Sequence, residues 1–417
     1  MSSLTAPPAC MTAYPLAANT LTADEISAAK AVLDSGMLTM GREVQKFENA
    51  FASWVGVKHA LMVNSGSSAN LLMVDLMLRR SGSIAPSWQP GDEILVPALA
   101  WPTTVWPLVQ LGLTPVFVDV DPVTLAIDLE SAHSVLGPKV KGMFLIHVLG
   151  QVPRMQEYVK FIDENRLLLV EDCCESLGGH FGRQHVGTFG VAGSFSFYFS
   201  HHLTTVEGGM IITSNSALYD DLLSLRAHGW TRGRSDKAMW KERYPDLDER
   251  FLFVTAGYNV RPTEIQGAIG SVQLRKLDNM MDARQRLAHR VNEWTRKYAP
   301  WLELIGADRL PMTPNAVQRR ERTHSWMTLP FRLHDFAPID SSSLKTHLEN
   351  RNVETRPIIA GNLARHPATQ QFHTRSAASL ACCDNLLSRG FMIGCHPVLD
   401  DQAFETLESA FYSLSKF

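Results

Sequence analysis

The sequence predicts an α/β protein: a large domain on a mainly parallel sheet covered by helices on both faces, then a smaller C-terminal α/β domain. Three observations carry that expectation. Short apolar, β-branched runs alternate with helical or polar stretches from about residue 58 to residue 173, the pattern of parallel strands buried on both faces. The residues directly after several of these runs are small, hydroxylated or acidic, and ligands collect at the carboxyl ends of parallel strands. A long helical pattern over residues 262–297 closes the region, and strand and helix patterns restart beyond Pro300.

Residues 1–20 are rich in Ala, Pro and Thr, without a basic segment followed by an apolar run; they are expected to form a flexible terminus, not a secretory signal. Residues 22–55 space their apolar groups helically. Thr22 and Asp24 offer N-cap chemistry before Ile26, Ala29, Val32 and Leu33, and two amphipathic helices fit. The strand candidates are ALMVNS, EILVPAL, TPVFVDVD, VKGMFLIHVLG and RLLLVEDC. Ile94 to Val118 carries no charge and is long enough for a membrane span, but Pro97, Pro102, Pro107 and Pro115 would break a spanning helix. That stretch is expected to be a strand, a loop, a short helix and a second strand. In the helix over 262–297, Ile265, Ile269, Val272, Leu274 and Leu277 fall on or near one face, and MTLPFRL and SSLKTHLEN then supply a strand and a helix. The large domain is therefore placed at 21–297 and the small one at 298–417.

Composition narrows the function. The chain has 417 residues, 45% hydrophobic and 19% charged, with a formal net charge of -3. No Lys/Arg-rich block marks a nucleic-acid or anionic membrane partner. The six cysteines are Cys10, the adjacent pairs Cys173/Cys174 and Cys382/Cys383, and Cys395. Adjacent cysteines rarely bridge, and without C-x-x-C spacing neither zinc nor an iron–sulfur cluster is indicated. Reduced thiols in a cytoplasmic protein are expected.

Asn64-Ser65-Gly66-Ser67-Ser68 follows one strand run. Small residues there let backbone N–H groups at a helix N-terminus converge on a phosphate, although a plain strand-to-helix connection has the same signature. Asp172 follows the run LLLV, where a carboxylate suits the protonated ring nitrogen of a pyridoxal cofactor; an exposed loop acid fits the position equally well. The informative stretch is Gly193 to Met210, GSFSFYFSHHLTTVEGGM.

That stretch resembles the signature of the sugar aminotransferase family of fold type I enzymes, the DegT/DnrJ/EryC/StrS-like proteins. Their S-F-x-x-x-K-x-x-T-T-x-E-G-G pattern holds the lysine that binds the cofactor. Ser196, Phe197, Thr204, Thr205, Glu207, Gly208 and Gly209 match, and His201 stands at the lysine position. PALAWPTT, FVDVDP, EDCCES, LRAHGW and GYNVRPTEIQGAIG follow in the family's order, so the resemblance covers essentially residues 20–415. It implies an aspartate-aminotransferase-like fold with a seven-stranded, mainly parallel sheet. It also implies roles: Gly66, Ser67, Ser68 and Ser196 on the cofactor phosphate, Trp101 stacked on the ring, and Asp172 on the ring nitrogen. Glu175 replaces the usual glutamine near the ring hydroxyl. Asn259 would complete the phosphate cup of a neighbouring subunit, because the family builds its sites at a homodimer interface.

A histidine cannot form the lysine's imine, so the resemblance implies noncovalent pyridoxal 5'-phosphate and pyridoxamine 5'-phosphate. Proton shuttling survives, since histidine titrates near neutrality. The same replacement marks the nucleotide-sugar 3-dehydratases of this family. The runs SFYFSHH, LRAHGWTR and ETRP with the later Gly361-Asn362 resemble those acting on GDP-4-keto-6-deoxy-D-mannose. This implies loss of the 3-hydroxyl, L-glutamate as the amine source, release of ammonia and a 3,6-dideoxy-4-keto product. A second lysine-less branch uses an iron–sulfur cluster and a reductase; the cysteine spacing here disfavours it.

His228 is a candidate helper in proton transfer or a structural histidine. Arg232 and Arg356 suit a pyrophosphate or a carboxylate, or serve as surface salt bridges. A metal on the adjacent His201 and His202 is not expected. Two rival functions remain: an aminotransferase using another lysine, and an inactive cofactor-binding scaffold. No lysine lies between Lys160 and Lys237, and the cofactor set is retained.

Overall fold

The computed structural model describes residues 13–78, 87–310 and 322–417; Cys10 and the first part of the expected flexible terminus lie outside them. Two helices lead the chain, α1 (Ala23–Ser35) and α2 (Arg42–Val55). The Thr22 hydroxyl and the Glu25 carboxylate form a reciprocal capping box at the start of α1. The strands and helices of the large layer follow: β1 (His59–Val63), α3 (Gly66–Leu78), β2 (Glu93–Pro97), α4 (Pro102–Gln110), β3 (Thr114–Val118), α5 (Leu129–Ser134), β4 (Val140–Ile146), α6 (Met155–Asn165) and β5 (Leu168–Asp172). The uncharged, proline-interrupted stretch is thus β2, α4 and β3, with Pro102 in the first turn of the helix, where its missing N–H costs nothing.

A small hairpin, β6 (His180–Phe181) and β7 (Gln184–His185), precedes β8 (Gly193–Ser196) and β9 (Gly209–Thr213). Helices α7 (Ser216–Arg226), α8 (Lys237–Arg243) and α9 (Glu264–Tyr298) come next. A second capping box, Thr263 with Gln266, starts the 35-residue α9. The rest comprises β10 (Leu302–Leu304), β11 (Thr328–Leu333), α10 (Ser341–Glu349), β12 (Arg375–Ser376), α11 (Ala381–Arg389), β13 (Gly390–Gly394) and α12 (Asp401–Tyr412).

The main sheet has the order β1-β9-β8-β5-β4-β2-β3-β12. It contains the seven expected strands plus the two-residue β12, returned from the C-terminal region to pair with β3. Strand β9 runs antiparallel to both neighbours, and the other pairings are parallel. Strands β1 to β5 bury nearly every residue, which explains their continuous apolar runs. A second, three-stranded sheet, β10-β11-β13, supports the smaller core.

Two sequence expectations need correction. Residues 13–20 do not form a loose tail. Tyr14 is fully buried, donates its hydroxyl to the Gly394 carbonyl at 2.9 Å and exchanges backbone bonds with Asn352 and Glu354. His396 reaches the Pro15 carbonyl, and Thr20 meets Gln273 of α9. Nor does a cut at residue 297 separate the cores. Leu287, Ala288, Val291 and Trp294 of α9 belong to the smaller core, while Ile358, Leu363, Leu380 and Leu386 pack into the larger one.

Candidate active site

Strand directions bring three loops to one edge of the sheet. Val63 at the end of β1 and Ser196 at the end of β8 both pair with Gly209, the first residue of β9, and Asp172 ends the neighbouring β5. The 64–68 turn, the segment after Asp172 and the 197–208 loop therefore meet there. A cavity of about 490 Å³ opens between them, lined among others by Ser65, Gly66, Ser67, Trp101, Asp172, Glu175, Ser196, His201 and Arg356.

Helix α3 points its N-terminus at the cavity. The Ser65 hydroxyl receives the Ser68 N–H at 3.1 Å, and Ser68 turns its own hydroxyl to Asn64 at 2.6 Å. Ser65, Gly66 and Ser67 thus line the cavity, whereas Ser68 is spent on the turn. A Cβ on Gly66 would lie 2.6 Å from Ser196 Cβ and 2.9 Å from Cys174 Sγ. Only glycine leaves this anion-sized cup open at a helix N-terminus.

Asp172, 4% exposed, is held from several sides. Its Oδ2 accepts from Asn70 Nδ2 and Thr104 Oγ1, each at 2.7 Å, and its Oδ1 accepts from the Cys174 N–H at 3.0 Å. Asn70 is fixed in turn by the Ser194 hydroxyl at 2.6 Å. The next-door acid serves structure: Glu171 accepts from the N–H groups of Gly187, Phe189 and Gly190 and from His147. His147, Glu171 and Cys173 lie close enough to hold a metal, but those bonds already occupy both oxygens of Glu171.

The 197–208 loop is built by its threonines. Thr204 Oγ1 reaches the Phe197 carbonyl and receives the Val206 N–H, and Thr205 Oγ1 reaches the Glu207 carbonyl. Gly208 leaves the room that Thr205 needs, as an added Cβ would stand 2.2 Å from its Oγ1. These bonds hold His201 in the cavity wall, edge-on to Tyr198 with ring centres 5.9 Å apart. His201 Nδ1 is buried and has no hydrogen-bond partner among the described residues. Burial, and secondarily the charge of Arg284, hold its pKa down at about 4, so the imidazole is a neutral base at physiological pH. His202 faces away, with Nε2 on the Ser325 carbonyl at 2.9 Å.

Glu175 Oε2 accepts the Leu149 N–H at 2.8 Å. Burial raises its pKa to about 7, against that hydrogen bond and helped by the neighbouring Asp172 charge. Trp101, 56% exposed, stands at the mouth before α4. Arg356 pairs with Glu354 at 2.7 Å, and Leu16 of the N-terminal segment adds both a wall residue and an N–H on the same Glu354 carboxylate.

Besides Ser68, three expected site residues lie outside this cavity. His228, in a left-handed backbone conformation, and Asn259 are exposed; Ala227 and Asn259 form an isolated bridge, and the His228 N–H donates to the Tyr258 carbonyl. Arg232 lies over the Trp230 ring. Phe251 and Phe253 stack near Trp230 on the same exposed surface. The sequence reading named Ser65 in the turn but gave the phosphate role to Ser68, and it missed Asn70, Thr104 and Leu16. Asn70 and Asp75 are buried polar residues in the otherwise apolar run ANLLMVDLML of α3, a signal that was available.

The donor set fits pyridoxal phosphate: an open cup at a helix N-terminus, a fixed carboxylate for the ring nitrogen and an unpartnered imidazole. A model of the DegT/DnrJ/EryC1/StrS aminotransferase family matches residues 19–411. The chain belongs to this family. A GDP-4-keto-6-deoxy-D-mannose 3-dehydratase of Escherichia coli O55:H7 is 38% identical over 85% of this chain and 87% of its own. A solved GDP-4-keto-6-deoxymannose-3-dehydratase variant with bound GDP-perosamine superposes with a TM-score of 0.85 at 35% identity, covering 95% of this chain and 100% of that one. Another structure of that enzyme, with a trapped PLP-glutamate geminal diamine, gives a TM-score of 0.81 at 33% identity over 97% and 99% of the two chains.

Proposed function

We propose that this family member is a pyridoxal/pyridoxamine phosphate-dependent 3-dehydratase of a nucleotide-linked 4-keto-6-deoxy sugar, with GDP-4-keto-6-deoxy-D-mannose favoured. The observation that carries the reading is His201: a neutral imidazole, not an amine, occupies the cavity position of the family's lysine. The named relatives support the substrate class.

Ser65, Gly66, Ser67 and Ser196 would hold the cofactor phosphate, Asp172 the ring nitrogen, and Trp101 one face of the ring. Bound there noncovalently, the amine form would supply a nitrogen nucleophile for the ketone and an electron-accepting ring. His201 takes the proton from the cofactor methylene and returns it to the departing 3-hydroxyl, which leaves as water. Glu175, half-titrated near neutrality, can give or take a proton at the ring hydroxyl. Arg356 offers a guanidinium fork to the glutamate carboxylate or the substrate anion. L-Glutamate would serve as the amine source, and the nitrogen would leave as ammonia.

The site is completed in a homodimer on this reading. Asn259, His228 and Arg232 share an exposed face with Phe251 and Phe253, and such an apolar face with polar projections fits a second copy reaching the neighbouring cavity. No helix among the described residues is long and apolar enough to cross a membrane, and the working compartment proposed is the cytoplasm, without a reductase partner.

The test is incubation with pyridoxal phosphate, L-glutamate and GDP-4-keto-6-deoxymannose, following sugar mass and ammonia. Glutamate-dependent loss of one oxygen, abolished in His201→Asn, is expected. A sugar that gains nitrogen would return the chain to the aminotransferases; cofactor amination with the sugar intact would redirect the search to CDP- or dTDP-linked sugars.

A further inference from the structure

Residues 14–16 are locked onto the C-terminal part of the chain at three points. Tyr14 shares backbone bonds with Asn352 and Glu354 and gives its hydroxyl to the Gly394 carbonyl at 2.9 Å. The Pro15 carbonyl meets His396 Nε2 at 2.6 Å. Gly394 lets the Leu16 carbonyl approach, since a Cβ there would stand 2.7 Å from that oxygen. Packing accounts for Tyr14, which is buried in the smaller core. It does not account for Leu16, which lines the cavity and gives its N–H to a side-chain carboxylate.

That carboxylate belongs to Glu354. Its Oε2 accepts the Leu16 N–H at 2.8 Å, and its Oε1 pairs with Arg356 Nη2 at 2.7 Å. One carboxylate thus joins the N-terminal segment to the arginine in the cavity wall. The Arg356 main chain is fixed separately, by bonds in both directions with Met392 at 3.0 and 2.7 Å, so the freedom that remains lies in its long side chain, 57% exposed. An exposed ion pair holds such a side chain weakly, because solvent screens it and rotamer entropy opposes it. The pair can orient Arg356 only if the carboxylate itself is anchored, and the Leu16 N–H supplies that anchor as a charge-assisted bond. Among the described residues Arg356 has no other side-chain partner, which leaves the remaining donors of its fork for a ligand.

We propose that Leu16 is a positioning residue for the amine donor: its N–H, through Glu354, holds the Arg356 guanidinium in place to receive a carboxylate of L-glutamate. The N-terminal segment is then part of the binding site, since a reactant seated on Arg356 lies against a wall that Leu16 helps to form. The inference rests on the reading of Arg356 as the residue that takes a reactant's anion.

The experiment uses full-length protein loaded with pyridoxal phosphate and titrated calorimetrically with glutarate, a dicarboxylate that lacks the amine and so binds without reacting. Leu16→Pro removes the N–H and keeps an apolar side chain; Glu354→Ala removes its acceptor. Each should raise the glutarate Kd about tenfold, the scale of one charge-assisted hydrogen bond, and leave the pyridoxal phosphate Kd at the wild-type value. With both substitutions the glutarate Kd should rise no further than in Glu354→Ala alone, because Leu16 acts through Glu354. If Leu16→Pro does not fold, Tyr14→Phe takes its place: it drops the bond to Gly394, keeps the buried ring, and should raise the glutarate Kd in wild type but not in Glu354→Ala. An unmoved glutarate Kd in the folded variant, additive losses in the double variant, an equal loss of cofactor affinity, or wild-type protein that does not bind glutarate would each overturn the proposal. The titration involves no sugar and no turnover. Dehydration with an unmoved glutarate Kd would therefore sink the role of Leu16 alone, whereas the expected Kd pattern without dehydration would sink the reaction assigned above and sustain Leu16.

Discussion

Asn70→Ala tests whether the cofactor carboxylate is pre-organised by its neighbours. Asn70 spans three partners, giving its amide N–H groups to Asp172 Oδ2 at 2.7 Å and the Thr103 carbonyl at 3.2 Å and taking the Ser194 hydroxyl at 2.6 Å, and it is 1% exposed. Truncation leaves Asp172 Oδ2 with the Thr104 hydroxyl alone and the buried Ser194 hydroxyl with only the long contact to Cys174 Sγ at 3.9 Å. A hydrogen bond to a charged group is worth about 1.5–3 kcal/mol, and an orphaned buried donor costs about 1–3 kcal/mol. Part of this appears as lower apoprotein stability, part as weaker holding of the ring nitrogen. We expect a loss of about 2–4 kcal/mol in chemical denaturation and a pyridoxal phosphate Kd raised roughly ten- to a hundredfold, at 1.4 kcal/mol per tenfold. Thr104→Val should do the same more mildly, and Asn70→Asp more severely, by setting a like charge against Asp172. If Asn70→Ala denatures and binds cofactor as wild type does, the carboxylate is not held by this network, and the account of the site fails at its centre.

Glu175 makes the apoprotein's stability pH-dependent. Its folded pKa of about 7 lies above the ordinary glutamate value of 4.5, so the folded state binds the extra proton between those values and its contribution is lost as pH rises from 4.5 to 7. Glu175→Gln should flatten that fall in Tm; an unchanged slope would show that Glu175 titrates normally. Gly66→Ala should cut cofactor affinity at least about tenfold and lower Tm as well, because its methyl group would overlap Ser196 Cβ and Cys174 Sγ in the cup; wild-type affinity by absorbance titration would show that the phosphate sits elsewhere. Glu171→Gln places an amide against loop N–H groups that now share a carboxylate and should cost about 2–4 kcal/mol, with the 187–190 amides losing hydrogen-exchange protection first. Glu354→Ala frees Arg356 from its ion pair and should raise the KM for glutamate or sugar more than it lowers kcat; equal effects on both would make Glu354 merely structural.

Much of this protein is legible along the chain because its strands are buried on both faces and so write themselves as apolar runs, with α9 adding a helical period and a capping box. His201 was legible for a different reason: the threonines and glycines around it build the loop by local hydrogen bonds, so their spacing identifies the missing lysine. What the sequence hid depends on contacts between distant segments. Asn70 and Thr104 converge on Asp172 from separate helices, and Tyr14 is buried only because Gly394, Asn352 and Glu354, more than three hundred residues away, present their carbonyls and N–H to it. The pKa of His201 is likewise set by burial and by Arg284, 83 positions further along. Local bonding rules determine the elements and the place of His201 at the family's lysine position; dielectric, charge proximity and closure of the N-terminal segment exist only once the chain is folded, because they depend on distance in space and not along the sequence.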